Sequence, residues 1–313
     1  DDHQVLLQRV DTALNAVVIP FLCLFGIGGN VINVIVLRHH GFKDTTSQLL
    51  HSLSATDLLF SVVHAVLQMS YILESFEPVM AMQLKTFSTA YTSTLYKVLI
   101  ASNVCHVTAI ALERVVAVCF PFHVARVFTR RRVKLAIVFF YVIPLGMFSP
   151  FFFVLESELV FSPRFNTTVP DVFPTKFFME NKPILDIYSK VVLVNVFATI
   201  VPAVLLVCSV LIGFKVSRRG AFAKLDRISN QDKVEMKSLK MVITVCLVAV
   251  FICLPAITID LALLYADVPH GHVYDLLDTI TETLAQVHTC SNFIIYVTMS
   301  TKFSKIYLRL FCL

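Results

Sequence analysis

Seven long apolar stretches alternate with short polar segments along the chain. Each stretch can cross the hydrocarbon core of a bilayer as a helix, which takes about 20 residues. The stretches are Leu14–Leu37, Leu49–Leu73, Phe87–Phe120, Leu135–Leu155, Ile187–Phe214, Leu239–Tyr265 and Val273–Met299. Their length and the lack of strict alternation exclude a transmembrane β-barrel. The pattern predicts one all-α membrane domain over residues 1–313. A seven-helix bundle at 14–299 follows an outer segment at 1–13 and precedes a short amphipathic helix on the inner surface at 300–313.

The basic residues of the chain fall mainly on one side of the predicted membrane. Of the 26 lysines and arginines, 19 lie on the side that holds the carboxyl terminus. Cationic flanks mark the cytoplasmic side of membrane proteins. We therefore expect a multi-pass protein of the plasma membrane with an extracellular N-terminus. Acidic residues are concentrated on the outer side, which favours a cationic ligand and equally suits a soluble outer surface.

The longest outer loop, about Glu156–Asp186, contains the sequence Asn166-Thr167-Thr168. This is an acceptor motif for N-glycosylation, so Asn166 is predicted to carry a glycan. Four prolines predict that the loop is irregular: Pro163, Pro170, Pro174 and Pro183.

None of the eight cysteines falls in an outer loop, and no pair has the spacing of metal ligands. Cys312 follows an amphipathic segment in which Phe303 and Tyr307 alternate with Lys305 and Arg309. Such a segment suits a helix on the membrane surface. Cys312 is thus a candidate for palmitoylation, and the alternative is a plain apolar anchor.

A charge inside a membrane span costs several kcal/mol and usually has a function. Asp57 lies in the second span, Asn103 in the third, and His288 and Asn292 in the seventh, at matching depth. From chemistry alone, two interpretations of Asp57 remain open: a site for a small cation, or a structural carboxylate that is held by hydrogen bonds.

Further polar and proline residues predict a movable inner end. Arg114 follows Glu113 at the inner end of the third span. It can form an ion pair with Glu235, which precedes the sixth span. An ion pair between two movable helices can be made or broken, so it gives the bundle two states. Pro202 and Pro255 lie within spans, where a missing hydrogen bond lets a helix bend or is only a packing feature.

One motif per span follows an order that is known from a large family. The motifs are Gly29-Asn30-Val31, Leu53–Leu58 with Asp57, Glu113-Arg114-Val115, the prolines Pro202 and Pro255, and Asn292–Tyr296. In this order they resemble the rhodopsin-like (class A) G protein-coupled receptors over nearly the whole chain.

This resemblance implies signalling without catalysis, with a heterotrimeric G protein and arrestin as partners and no nucleic acid. An outer ligand would favour a state in which the sixth span swings outward at its inner end. Asp57, Asn103 and Asn292 would form the family's structural Na⁺ site. Cys253, in place of the family's pivoting Trp, would act with Tyr296 and the two prolines as the conformational switch.

The chain departs from the family pattern at several positions. Thr89 stands where the family has the third-span cysteine of its outer disulfide, and the chain contains no Trp. Phe293 replaces the seventh-span proline, and Ala249 replaces the Phe of the core relay in the sixth span. We expect the relay to be rebuilt from other side chains, such as Phe251.

The candidate ligand-binding residues are Gln68, Tyr96, Lys97, Asp260, Asp278 and Glu282. Tyr96 stands where amine receptors have an Asp, which disfavours a monoamine. Acids with Tyr96 and Lys97 suit a peptide that carries Arg or a free amine, although Lys97 can instead extend outward to the membrane interface.

Two stretches, Glu113–Lys134 and Ser291–Phe303, resemble invertebrate FMRFamide-type neuropeptide receptors, which implies an Arg-Phe-amide ligand. A chemosensory receptor for small molecules is the main alternative. An ion-coupled transporter is disfavoured because the inner halves of spans one, two and five are almost wholly apolar.

Overall fold

The computed structural model describes residues 2–41, 44–163, 165–222, 230–265 and 271–311. Side chains at 2, 40, 216–222, 230–239, 260, 264, 301 and 302 are outside this description.

The described chain is largely helical. The helices are α1 (Asp2–Ala13), α2 (Ile19–His40), α3 (Thr45–Leu73), α4 (Pro78–Phe87), α5 (Ser93–Cys119), α6 (Pro121–Val127), α7 (Arg130–Phe148), α8 (Lys176–Ile187), α9 (Val201–Phe222), α10 (Asn230–Tyr265), α11 (His272–Met299) and α12 (Thr301–Phe311). Three π-helical segments, Leu14–Val18, Ser88–Thr92 and Tyr188–Ile200, join consecutive helices, and a 3-10 turn, Ser149–Phe153, extends α7.

These elements form the predicted bundle. Among the described residues, six helical stretches are long and apolar enough to cross a membrane. They end near His39, Leu73, Cys119, Phe153, Lys215 and Leu263 and correspond to the first six predicted spans. The seventh span is α11, which is less apolar because it buries polar side chains such as Gln286, His288 and Asn292. The predicted helix bundle is confirmed.

The first span begins earlier than its apolar stretch suggests. Helix continues from Asp2 through the π-helical segment into α2, so residues 2–13 are helical rather than extended. Thr279 of α11 donates a hydrogen bond to Asp11 at 2.6 Å, and Asn15 donates to Thr279 at 3.0 Å. These bonds fasten the outer end of the first span to the seventh.

Glycine allows the first span to approach the seventh closely. A Cβ atom at Gly29 would lie 2.9 Å from the Cβ of Phe293, and one at Gly26 would lie 2.7 Å from Nε2 of Gln286. Phe293, in place of the family's proline, therefore packs on the glycine of the first motif. The ring centroids of Phe293 and Tyr307 lie 6.4 Å apart, which links α11 to α12.

The prediction that the long outer loop is irregular was wrong. It forms an antiparallel hairpin of β1 (Leu155–Ser162) and β2 (Thr167–Pro174), followed by α8. A two-stranded hairpin has only edge strands, which tolerate prolines that a central strand would exclude. Pro170 lies within β2, opposite Leu159, and Pro183 lies inside α8.

The hairpin is attached to the bundle without a disulfide. The hydroxyl of Thr86 in α4 donates to the carbonyl of Pro170 at 2.9 Å, and Val169 is buried. Thr94 of α5 donates to the carbonyl of Phe151 at 3.2 Å, before the hairpin begins.

The inner side ends in two short helices. After α5, the helix α6 begins at Pro121, and after α11 the helix α12 runs along the predicted inner surface. In α12, Phe303 is buried against the bundle, with its ring centroid 5.8 Å from that of Tyr296. The predicted eighth helix is therefore present.

Candidate functional site

Asp57 is a fully buried carboxylate in the middle of the bundle. Nδ2 of Asn103 donates to one carboxylate oxygen, and Nδ2 of Asn292 donates to the other at 2.7 Å. Within the described residues, Oδ1 of Asn292 has no hydrogen-bond partner. The three residues predicted for a sodium site thus meet, from α3, α5 and α11. A carboxylate with a spare amide oxygen is the type of donor set that suits a hard cation.

A second polar cluster lies above Asp57, towards the outer side. Nε2 of Gln68 donates to Glu282 at 3.0 Å and approaches Nε2 of His64 at 3.3 Å. Nδ1 of His64 lies 3.1 Å from Oε1 of Gln286, and Nε2 of Gln286 donates to Ser61 at 3.0 Å. We call these five residues the outer polar cluster.

The two ring nitrogens of His64 contact different members of the cluster. Oε1 of Gln286 can only accept a hydrogen bond, so Nδ1 of His64 donates to it. Nε2 of His64 lies 3.3 Å from the amide nitrogen of Gln68 and 3.5 Å from a carboxylate oxygen of Glu282. The imidazole is fully buried, whereas the side chain of Glu282 is 26% exposed. Glu282 is therefore the member of the cluster that is partly exposed.

Aromatic rings enclose the cluster on one side. The ring centroid of Tyr96 lies 5.0 Å from that of Phe60 and 5.1 Å from that of His64. Oε1 of Gln68 is buried and has no hydrogen-bond partner among the described residues. An unsatisfied buried acceptor costs about 1–3 kcal/mol, which a bound donor would recover.

The structure brings together three of the six predicted ligand residues. Gln68, Tyr96 and Glu282 lie at the outer polar cluster. Lys97 and Asp278 are exposed at the surface, and the side chain of Asp260 is outside the described residues. The exposure of Lys97 agrees with the alternative that it extends outward.

Three members of the cluster, Ser61, His64 and Gln286, were not among the predicted site residues. Asp57, Ser61, His64 and Gln68 recur at intervals of three and four residues, which places them on one face of α3. That spacing was the signal, and it would have extended the predicted polar face outward from Asp57.

At the inner end of the third span, Glu113 and Arg114 form an ion pair, with Nε of Arg114 2.8 Å from Oε2 of Glu113. The hydroxyls of Thr45 and Thr46 at the start of α3 donate to Oε1 of Glu113 at 3.1 and 2.9 Å. Arg114 also donates to Thr46. This group, which we call the inner lock, fastens the third span to the second. The expected partner Glu235 has its side chain outside the described residues.

A family model for the seven-transmembrane receptors of the rhodopsin family matches residues 29–296, which include both buried sites and the inner lock. The chain belongs to this family. Its members are receptors, so the prediction that the protein is not an enzyme is confirmed.

Two curated relatives are similar to part of the chain. A candidate G-protein coupled receptor of Caenorhabditis elegans, F59B2.13, is 31% identical over 148 residues, which cover 44% of this chain and 33% of the relative. The human motilin receptor is 30% identical over 151 residues, which cover 47% of this chain and 35% of the relative. The aligned segments thus span about a third of each relative's length.

In the fourth span of this receptor, where the family's usual Trp is missing, Tyr141 makes the polar contact with neighbouring helices. Its hydroxyl lies 2.7 Å from Oγ1 of Thr56 and 3.3 Å from Oγ of Ser52. Oγ of Ser52 lies 2.8 Å from Nε2 of His106, whose ring centroid is 5.2 Å from that of Tyr141. The three helices α3, α5 and α7 meet at this point.

The structure contradicts one expectation about the sixth span. Phe251 is 74% exposed on the outside of the bundle, so it does not rebuild the core relay. It lies two residues after Ala249, and two residues turn a helix by about 200°, which puts the two side chains on nearly opposite faces. Ala249 is buried, whereas Cys253 is half-buried.

The remaining switch candidates are distributed over three helices. Pro202 is buried at the start of α9, directly after a π-helical segment, and α10 continues through Pro255. Tyr296 is buried near the inner end of α11.

The two candidate modification positions have different outcomes. Asn166 is exposed in the turn between β1 and β2, with a positive φ of 49°. The turn presents this side chain to solvent, as a glycan acceptor requires. Cys312 lies outside the described residues.

Proposed function

We propose that the protein is a receptor for an extracellular peptide with a cationic group, and that it signals through a heterotrimeric G protein. The observation that carries this proposal is the pair formed by Glu282 and Gln68. The carboxylate is partly exposed, and the buried Oε1 of Gln68 has no donor among the described residues. An ammonium or guanidinium group supplies both a charge for Glu282 and N–H donors for Gln68.

Membership of the rhodopsin family supports a receptor that is coupled to a G protein. The human relative is named as the receptor for motilin, a peptide. An Arg-Phe-amide ligand fits the same chemistry, since its guanidinium meets Glu282 and its phenyl ring meets Tyr96 and Phe60. We carry this ligand forward as the specific form of the proposal.

A screen of neuropeptides, with calcium and cyclic-AMP readouts in transfected cells, tests the function. We expect a response to Arg-Phe-amides. A response to small odorants alone would select the chemosensory alternative and end the peptide proposal.

Glu282→Gln tests the site. We expect this change to weaken an Arg-bearing peptide by about 1–3 kcal/mol, because a charged hydrogen bond becomes a neutral one. Asp275→Asn is the matched control, since Asp275 is exposed near the outer end of the same helix. Equal potency on the Glu282→Gln receptor and on its parent would remove Glu282 from the binding site.

We propose a resting state that is held at two further places. A Na⁺ ion would bind Asp57 and Oδ1 of Asn292, and Asn103 would position the carboxylate. The inner lock would keep Arg114 away from the G protein. An active state needs Arg114 to be released, so a ligand favours it only through a difference in affinity between the two states.

The remaining assignments follow from topology. We propose an extracellular N-terminus and a location in the plasma membrane, based on the distribution of basic residues. Arrestin would share the inner face with the G protein, and α12 would rest on membrane lipid. Asn166 would carry a glycan, and Cys312 a palmitoyl group.

A further inference from the structure

A cavity of about 470 Å³ lies beneath the outer hairpin, at the outer ends of the second and third spans. Its walls are the outer end of α3, the helix α4 with Thr89 just after it, and the hairpin. Its chemistry is set by Tyr71, Glu74, Met82, Lys85, Phe165 and Asp171. Neither Gln68 nor Glu282 lines this cavity, which makes it a separate site from the outer polar cluster. Ligand pockets in proteins commonly have volumes of about 300–1,000 Å³.

The hairpin that forms the roof of the cavity is held by non-covalent contacts. The hairpin is joined to α4 by the hydrogen bond from Thr86 to the carbonyl of Pro170 and by the burial of Val169. No cysteine lies in this loop, so no covalent link fixes the distance between the hairpin and α4. The cavity can therefore widen to admit a molecule without breaking a disulfide.

The side chains of the cavity are complementary to a cation with an apolar part. Among the described residues of the lining, Glu74 and Asp171 place two carboxylates against one ammonium group from Lys85. Nζ of Lys85 lies 5.8 Å from the centroid of the Tyr71 ring, so this ring already accepts a cation on its face. Met82 and Phe165 supply apolar surface beside the charges.

We propose that this cavity is a second binding site, and that it takes an amphipathic organic cation. The ammonium or guanidinium group lies between Glu74, Asp171 and the Tyr71 ring, where it displaces Lys85. The apolar part packs on Met82 and Phe165. A free aromatic amine and a basic-aromatic segment of a peptide both offer this chemistry.

The charge preference can be measured with a cysteine placed in the cavity. Met82→Cys, expressed on intact cells, is treated from outside with a cationic or an anionic methanethiosulfonate reagent. We expect the cationic reagent to react faster by roughly tenfold, since charges of one sign in a cleft concentrate the opposite ion. When Glu74→Gln and Asp171→Asn are added, the preference for the cationic reagent should disappear.

Met80→Cys is the matched control because Met80 lies on the same helix, is exposed, and does not line the cavity. For Met80→Cys, the ratio of the two reaction rates should be the same with and without Glu74→Gln and Asp171→Asn. If Met82→Cys fails to reach the cell surface, Val172→Cys on the opposite wall replaces it. A cavity cysteine with the same ratio as Met80→Cys would overturn the proposal.

Occupancy is tested by protection of the same cysteine. Phenethylamine and the dipeptide Arg-Phe-amide should each slow its modification, whereas the neutral N-acetylphenylalanine amide should not. Tyr71→Leu should remove the protection. Protection by the dipeptide alone would identify a peptide segment as the occupant, and protection by phenethylamine as well would identify a site for free amines. If neither cation protects, the proposal is wrong. No step uses signalling, so the result is independent of the proposed peptide receptor function.

Discussion

Spans two and three are held in the bundle in a different way from spans four, five and six. The most apolar stretch of each span shows this difference. Within it, 56% of the residues are buried in span two and 61% in span three, but only 6% in span four, 22% in span five and 28% in span six. The first group is joined by hydrogen bonds between helices, at Asp57, at the outer polar cluster and at the inner lock. In spans five and six, the buried hydroxyl of Ser209 and the exposed one of Thr258 bond to carbonyls of their own helix. A bond between the two spans, from Tyr265 to the carbonyl of Lys190, lies at an exposed position.

This difference separates a fixed half of the receptor from a movable one. Directional bonds between buried polar groups specify one arrangement, and displacing them leaves donors and acceptors unsatisfied. Apolar contacts between helices lose less when one helix slides or tilts. The sixth span, which the family resemblance expects to swing outward, thus belongs to the half that is held mainly by apolar contacts. We expect changes at the polar contacts of the fixed half to have larger effects than changes at the lipid-facing side chains of the movable half.

The largest effect is expected from Gly26→Ala in the first span, which packs against the outer polar cluster of the fixed half. The new Cβ would lie 2.6 Å from Oγ of Ser61 and 2.7 Å from Nε2 of Gln286, so the outer polar cluster must shift. We expect the free energy of unfolding to fall by about 1–3 kcal/mol. Thermal unfolding of the purified receptor in detergent measures the change.

Gly28→Ala is the matched control, since a Cβ there meets nothing within 4 Å. Alanine favours helix over glycine by up to about 1 kcal/mol, so this variant should be equal to its parent or more stable. The same loss in both variants would show that the first span is not closely packed at Gly26.

A smaller effect is expected from Tyr141→Phe, which tests the buried polar attachment of the fourth span to spans two and three. The change removes the hydroxyl from Thr56 and Ser52 and leaves both groups partly unsatisfied. We expect a loss of about 1–2 kcal/mol in the free energy of unfolding, measured as above. Tyr265→Phe is the control because its hydroxyl bonds to Lys190 at an exposed position. A greater loss in the control would contradict the importance of Tyr141.

Thr46→Val is expected to act on signalling more than on stability. It removes two contacts of the inner lock while keeping the shape of the side chain. A loss of about 1 kcal/mol from the resting state should raise basal signalling roughly fivefold. Basal cyclic-AMP or calcium signalling, corrected for surface expression, measures this. Thr244→Val is the control, since its hydroxyl bonds only within its own helix. Unchanged basal signalling in the Thr46 variant would show that the lock does not restrain activation.

The helix bundle could be predicted because a chain that inserts into a membrane must have a characteristic composition. Long apolar runs and the excess of basic residues on one side follow from the cost of burying charge and unpaired backbone in lipid. The contact of Asp57 with Asn103 and Asn292 could also be predicted. A carboxylate in a membrane span needs hydrogen-bond donors, and these amide groups lie at the same depth in neighbouring spans.

The outer loop and the lipid-facing side chains could not be predicted in this way. Proline content indicates a lack of helix, but it does not reveal that β1 and β2 pair. The hairpin depends on contacts such as Thr86 with Pro170, which join residues that are 84 positions apart. A span in lipid is also apolar on every side, so periodicity does not tell which face of the sixth span is buried. The assignment of Phe251 failed for this reason.

The smallest effect is expected from Phe251→Ala in the movable half. Phe251 is 74% exposed on the bundle surface, so its removal leaves no internal cavity. We expect the free energy of unfolding to change by less than about 0.5 kcal/mol and agonist potency to stay constant. Val245→Ala in the same helix is the comparison, since Val245 is 1% exposed in the core and should cost about 2 kcal/mol. Phe251→Ala could instead impair activation while Val245→Ala does not. The Phe251 side of the sixth span would then face the core of the bundle. The division into a fixed and a movable half would fail at the helix that is expected to move during signalling.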